Sequence, residues 1–245
     1  MYGAGHVVFL IHHKRSVAAS IEKKGVSIRE LSGKVVRSHV QTRTRLSRAD
    51  KADLVLVTVK AYDSRAVASL LKKSSIRNVP VLSLQNGLGN VEELTSRLGA
   101  DSTIAGTTTE GAMTTGPGAV IHTGRGITWV GEMNGKLSDR CLTIQRTFRK
   151  AGFTTTISNN IKGVLWPKTI VNSAINPITA ITRVRNGDVR KIPGLREIAS
   201  EVVGEGVAVA LANGILLNPS PKSLLVKVLA LTPRNKSSGD VPVKP

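Results

Sequence analysis

The spacing of apolar residues changes once along this chain, near Ser158, and that change limits the possible folds more than any other feature. Up to Ile157 the apolar residues come in short runs bounded by polar, Gly or Pro punctuation, the pattern of buried strands. Val7–Ile11, Leu54–Val59 and Val79–Leu84 are continuous runs of this kind; Val26–Ile28 and Val35–Val40 alternate, Thr103–Thr109 is β-branched, and Phe153–Ile157 closes the series. Between them Ser16–Lys24, Ser64–Lys72, Val91–Leu98 and Ser138–Ala151 carry helical spacing, with Asp63 and Asn90 placed to cap two of those helices. Ala119–His122 and Ile127–Val130 read as a hairpin about Thr123–Gly126, and the polar, basic Gln41–Lys51 reads as a loop. From Asn159 onward the strand patterns stop, and Asn159–Val184, Gly194–Ala212 and Pro219–Leu231 have the period of helices. Strands alternating with helices, then helices alone, predict an α/β domain over residues 1–157, built on a doubly wound sheet, and an all-helical domain over residues 158–245.

The first of the long helices contains LWPKTIVNSAIN, residues 165–176. Lys168, Asn172 and Asn176 recur at every fourth position, which keeps them on one helix face with a drift of roughly 40° per step. Ile170, Val171, Ala174 and Ile175 fall on the other face as core material. Pro167 is expected in the first turn, where its missing N–H costs nothing. A solvated face usually mixes Glu with Lys, whereas this one holds one ammonium and two carboxamides and runs on into the apolar NPITAI. The row is therefore expected to face a binding site.

Polar residues at strand ends supply further candidates. His12, His13, Lys14 and Arg15 follow the first apolar run. In doubly wound folds ligands lie beyond the carboxyl ends of strands, and positive charge at the end of the second strand accommodates a 2′-phosphate. A charged loop is the other reading of this cluster. Lys60 ends the run Leu54–Val59, where it suits a phosphate or carboxylate, or else is a solvated lysine. Asn86 lies in QNGLGN, where Gly87 and Gly89 permit a tight turn or a close approach of the backbone to a ligand.

The formal net charge of +19 makes anionic partners plausible, yet aromatic residues are only 3%, too few for a base-stacking platform. Nucleic acid is therefore not the expected partner. A single cysteine, Cys141, rules out a disulfide within the chain and suits a cytoplasmic location. The apolar runs are of strand length and the first residues have no basic lead before a long apolar run, so neither a membrane span nor a signal peptide is expected. No His, Cys or acidic cluster has metal-ligand spacing, so no metal is expected. The long apolar helices could pair two copies as a homodimer.

Taken together, ADLVLVTVKAYD, SLQNGLGNVEEL, GTTTEGA, GPGAVIHTG and LWPKTIVNSAINPITAI, with Asn186-Gly187 beyond, resemble the ketopantoate reductase (2-dehydropantoate 2-reductase) family in order and spacing. The resemblance implies a Rossmann-like dinucleotide-binding domain joined to a helical domain, with the active site in the cleft between them. It implies reduction of ketopantoate, a 2-keto acid, to pantoate by NADPH, a step toward pantothenate and coenzyme A. It places the catalytic lysine on Lys168 and substrate contacts on Asn172, Asn176, Asn186 and Ser238. A cofactor contact falls on Lys60, and Asn86 lines the junction of cofactor and substrate; the strand-end reading adds His13 and Lys14 as cofactor-binding candidates.

The sequence departs from the family pattern at two places. The family opens with a strand and a G-x-G-x-x-G turn that holds the pyrophosphate; here Tyr2-Gly3-Ala4-Gly5-His6 matches the stretch just before the second strand, so the doubly wound sheet is expected to be incomplete. After NKSS the family's T-E-I-D segment, whose glutamate binds substrate, is replaced by Gly239-Asp240-Val241-Pro242. On these grounds the 245-residue chain is expected to bind NADPH poorly and to turn over slowly or not at all. A reductase of another 2-keto acid, a non-catalytic basic binding protein and a decayed remnant are the alternative expectations.

Overall fold

In the computed structural model, which describes residues 1–46, 51–76, 78–233 and 235, the chain divides into two units. The first comprises Met1–Gln85 and Gly89–Asn159; the second comprises Asn160–Pro245 together with Asn86–Leu88.

In the first unit the strands are β1 (Phe9–Ile11), β2 (Val26–Arg29), β3 (Val35–Ser38), β4 (Gln41–Arg43), β5 (Val55–Val57), β6 (Val81–Ser83), β7 (Thr103–Thr108), β8 (Gly111–Gly116), β9 (Ala119–Gly124), β10 (Ile127–Gly131) and β11 (Thr154–Ile157). Its helices are α1 (Arg15–Lys24), α2 (Ser64–Lys72), α3 (Asn90–Leu98) and α4 (Asp139–Lys150). Among the described residues the strands form three sheets, in the orders β1-β4, β11-β10-β7-β6-β5 and β3-β2-β9-β8. β5, β6 and β7 are parallel, as is the pair β1 and β4, while β10 runs antiparallel to β7.

The five-stranded sheet is wound on both faces because side chains alternate across a strand. On β6, Val81 joins Val57, Ala68, Leu71 and Leu94, the core beneath α2 and α3. Its neighbour Leu82 points the other way, into the core that Ile104, Val130, Cys141, Ile144 and Phe148 build with α4. Such burial on both sides is why these strands read as continuous apolar runs. Ser138 caps α4 by accepting a hydrogen bond from the Cys141 N–H.

Several local expectations are corrected. Gln41–Arg43 is a strand, not loop, because it pairs in parallel with β1 although its side chains are polar. Asp63 occupies the cap position of α2 without a capping hydrogen bond from its side chain, and Asn90 is the first residue of α3 rather than its cap, which is Gly89. The expected hairpin of Ala119–His122 with Ile127–Val130 does not form. β9 instead pairs with β8, and β10 with β7 and β11. The chain passes between the two sheets at Gly126, where an added Cβ would lie 2.2 Å from the Thr109 carbonyl carbon. Glu110 secures this crossing: one oxygen accepts from the Gly126 N–H at 3.0 Å, and the other lies 3.0 Å from His122 Nε2.

The second unit is helical: α5 (Ile161–Thr182), α6 (Asn186–Lys191), α7 (Pro193–Ala212) and α8 (Pro221–Leu231). They share a core of Ile170, Val171, Ala174 and Ile175 from α5 with Val189, Ala199, Val203, Leu225 and Leu229. Gly206 of α7 lets the two long helices approach, since a Cβ there would stand 2.9 Å from Ile170. No helix among the described residues is long and apolar enough to cross a membrane.

The Gly126 crossing yields a stability prediction. Gly126→Ala should lower unfolding free energy by about 3 kcal/mol, because its methyl meets backbone that cannot move aside. Urea denaturation followed by circular dichroism measures this, and a change under about 0.5 kcal/mol, the level of a neutral surface substitution, would contradict the geometry.

Candidate active site

α5 begins at Ile161, six positions before Pro167, so the proline sits in the helix interior and not in the expected first turn. Its missing N–H would orphan the carbonyl four residues back, on Gly163. That oxygen instead accepts the Asn218 N–H at 3.0 Å. Asn160 ties the same region down: its Oδ1 accepts from the Gly163 N–H at 3.0 Å and its Nδ2 donates to the Leu216 carbonyl at 2.8 Å. Gly163 has no room for a side chain, since a Cβ would lie 2.2 Å from the Leu216 oxygen. The segment after α7 therefore replaces the hydrogen bond that Pro167 removes, and the helix continues through the polar row.

Along that row Lys168, Asn172 and Asn176 are half-buried, while Ile170, Val171, Ala174 and Ile175 behind them are buried. The two-faced character read from the spacing is thus present. Lys168 Nζ donates to Asn86 Oδ1 at 2.9 Å. Burial lowers the Lys168 pKa from its ordinary value near 10.5 to about 8. The amide accepts from the ammonium without supplying a countercharge, so it does not offset the cost of desolvation.

Asn186, at the start of α6, is only 7% exposed. Its Nδ2 donates to Thr232 Oγ1 at 2.8 Å, while that hydroxyl donates its own hydrogen to the Val228 carbonyl at 2.7 Å. The hydroxyl proton is therefore committed, which fixes the amide's orientation and leaves Asn186 Oδ1 as a buried acceptor without a partner among the described residues. Such an atom suits a donor from a ligand, a hydroxyl for example.

Three further candidates, His13, Lys14 and Lys60, lie in the first unit. His13 is exposed and its ring stacks on that of His12, with centroids 4.9 Å apart. Lys14 holds the cap position of α1, its N–H donating to His12 Nδ1 at 3.1 Å. Lys60 is exposed at the start of a single 3₁₀ turn, Ala61–Asp63. Ser238 lies outside the described residues. No group of three or more His, Cys, Asp or Glu that could hold a metal ion occurs among the described residues.

Sequence reasoning missed the bracing on either side of Asn86–Leu88. Gln85, buried, donates through Nε2 to the Val59 carbonyl at 3.0 Å and to Ser64 Oγ at 2.8 Å. Ser64 passes its own hydrogen to Asn90 Oδ1 at 3.0 Å, and Ser83 Oγ donates to Gln85 Oε1 at 3.1 Å. The turn is thereby anchored at both ends by side chains that no spacing rule links; the visible signal was only that three amides, Gln85, Asn86 and Asn90, crowd six positions.

If burial alone depresses Lys168, a carboxylate at its partner should reverse the effect. Asn86→Asp should raise the Lys168 pKa from about 8 by roughly one to three units, read from the pH dependence of its ε-methylene NMR signals. An unmoved midpoint would show that the two side chains do not interact in solution.

The chain resembles known proteins along most of its length. The family description "Ketopantoate reductase PanE/ApbA" matches residues 1–135, and its C-terminal counterpart matches residues 160–239. The 2-dehydropantoate 2-reductase of Pyrococcus horikoshii is 40% identical over 234 residues, covering 96% of this chain and 75% of that protein. The Archaeoglobus fulgidus enzyme of the same name is 36% identical over 235 residues, covering 96% and 76%. A crystal structure of a PanE/ApbA family ketopantoate reductase from Ralstonia eutropha superposes with a TM-score of 0.86 at 30% identity, over 96% of this chain and 76% of that one.

Proposed function

Because the chain belongs to the ketopantoate reductase family, we propose that it reduces 2-dehydropantoate to pantoate with NADPH, a step toward pantothenate and coenzyme A. The observation that carries this reading is the Lys168 ammonium, held 2.9 Å from Asn86 Oδ1 on a half-buried polar row and titrating at about 8. The donor set fits an anionic coenzyme, since the residues after the parallel strands β1 and β5 include His13, Lys14 and Lys60. In this reading those three side chains and Asn86 would hold it, and bound NADPH supplies the hydride that adds to the ketone carbon.

The protein's own residues handle the charge that follows. A ketone that accepts hydride becomes an alkoxide and needs a proton. Lys168 Nζ stabilises the developing negative charge and then donates that proton. Its lowered pKa reduces the energy of giving the proton up near neutral pH. Asn86 Oδ1 takes one ammonium hydrogen and so helps aim the others. Asn172 and Asn176 bind the substrate's carboxylate and hydroxyl through amides, which add no charge to disturb Lys168. Asn186 Oδ1, the buried acceptor, takes a hydrogen bond from a substrate hydroxyl. The same reading includes a cytoplasmic location, supported by the lone buried thiol of Cys141, and a homodimer, supported by exposed Ile181, Leu211 and Leu231 on the helical unit. It includes no nucleic-acid partner, given 3% aromatic residues.

Two measurements test it. In single-turnover NADPH oxidation with ketopantoate, Lys168→Ala should slow the step by at least about 100-fold, the scale of lost acid catalysis; an unchanged rate would remove Lys168 from the mechanism. The protonated lysine is the active form, present below its pKa, so kcat/KM should fall as pH rises through about 8. A rate that climbs through that range would mean a base, not an acid, is at work.

A further inference from the structure

Ser64, Ser83, Gln85 and Asn90 are polar side chains, yet all four are buried. They stand where β6 ends and where α2 and α3 begin, since Ser64 and Asn90 are the first residues of those helices. Their hydrogen bonds run in one direction. A backbone carbonyl can only accept, so the Val59 oxygen, 3.0 Å away, fixes Nε2 as the Gln85 atom that faces it. The opposite atom, Oε1, then accepts from Ser83 Oγ at 3.1 Å. Nε2 gives its second hydrogen to Ser64 Oγ at 2.8 Å, and Ser64 gives its own to Asn90 Oδ1 at 3.0 Å. No hydrogen in this network can be redirected without leaving a buried group unpaired. The core that joins the same strands and helices, with Val57, Ala68, Val81 and Leu94, is apolar. A polar tie in that setting adds modest net stability, but it fixes a single geometry.

Gln85 is the member all the others depend on. Its two donated bonds flank the turn at Lys60, one to Val59 just before it and one to Ser64 just after it. That turn is closed by the Asp63 N–H on the Lys60 carbonyl at 2.9 Å, so Gln85 is fastened to a folded segment. The residue that follows Gln85 is Asn86, whose Oδ1 accepts from Lys168 Nζ. We propose that Gln85 is a positioning residue: by locking the end of β6 it sets where Asn86 starts, and it acts on Lys168 through Asn86. Its effect on catalysis rests on the reductase reading; its effect on Lys168 does not. Methionine has the length of glutamine but none of its N–H donors. In Gln85→Met the Asn86 turn is released, and the Lys168 ammonium loses its acceptor while it stays buried. Losing a hydrogen bond to the charged form favours the neutral amine, so Lys168 should titrate at lower pH.

NMR titration of the Lys168 ε-methylene signals in the whole chain tests this without substrate or coenzyme. Gln85→Met should lower the midpoint from about 8 by at least about half a unit, part of the roughly one unit that a charge-assisted hydrogen bond supplies. Asn86→Ala should lower it too, and adding Gln85→Met to Asn86→Ala should lower it no further. A residue that only supports the fold would reduce thermal stability and leave this midpoint unmoved. Ser64→Ala removes one hydroxyl and keeps the Val59 bond; it should shift the midpoint in the same direction, and it carries the test if Gln85→Met does not fold. In single-turnover NADPH oxidation with ketopantoate, Gln85→Met should slow the step by about 10-fold, the worth of one charge-assisted contact, and Gln85→Met/Asn86→Ala should match Asn86→Ala alone. The proposal is overturned if the folded Gln85→Met or Ser64→Ala protein keeps the parent's midpoint, or if the shift persists undiminished in the Asn86→Ala background. A parent that oxidises no NADPH with ketopantoate sinks the reductase reading, and the NMR comparison still decides the role of Gln85.

Discussion

A helix that carries two internal prolines and an ammonium has to be held by burial, and the second unit is arranged around meeting that demand in α5. Each internal proline costs about 3 kcal/mol relative to alanine. Burying an aliphatic side chain returns roughly 1.5–3 kcal/mol, and α5 buries Ile170, Val171, Ile175 and Ile178 against α7 and α8. The apolar face therefore offsets the prolines. The specific repair at Pro167, the Asn218 N–H on the Gly163 carbonyl, removes what would otherwise be an unsatisfied buried group. The polar row can remain polar only because the opposite face is anchored in this way.

The same burial sets the electrostatics. In bulk water an ammonium next to an amide would titrate near its ordinary value. Here desolvation lowers it to about 8, and Asn86 does not oppose that with charge. A carboxylate at that position would stabilise the cation and make it a poor acid. Amides along the row and at Asn86 leave that desolvation unopposed by any opposite charge from their own side chains. Asn186 is held in a similar way: its orientation is fixed by Thr232, and its buried oxygen remains an acceptor.

In the first unit the recurring theme is positive charge at the ends of parallel strands. Lys60 after β5, His13 and Lys14 after β1, and Arg43 to Arg45 at the end of β4 all follow this rule. Strand ends in open α/β sheets are where side chains and backbone N–H groups converge without burying one another. A chain of net charge +19 could scatter its cations anywhere. Several of them stand at these ends.

How much of this could be read beforehand differs from element to element. Period alone determined the α/β half, the helical half and the two faces of α5, because burial imposes a repeat of two on strands and of 3.6 on helices. The fourfold recurrence of Lys168, Asn172 and Asn176 was equally local, so it survived into the structure. Gln41–Arg43 was not legible, since its polar side chains hide a strand that exists through backbone pairing with β1. The false hairpin at Thr123–Gly126 failed for a similar reason: partner choice depends on segments far along the chain, and a tight approach of Gly126 to Thr109 decided it. The sequence by itself thus determined most of the strands and helices, β4 excepted, and which face of α5 was polar. Only the tertiary structure decided that Asn86, 82 positions away, meets Lys168, that Gln85 and Ser64 brace the turn beside it, and that burial lowers the lysine's pKa, because long-range contact and desolvation leave no local pattern.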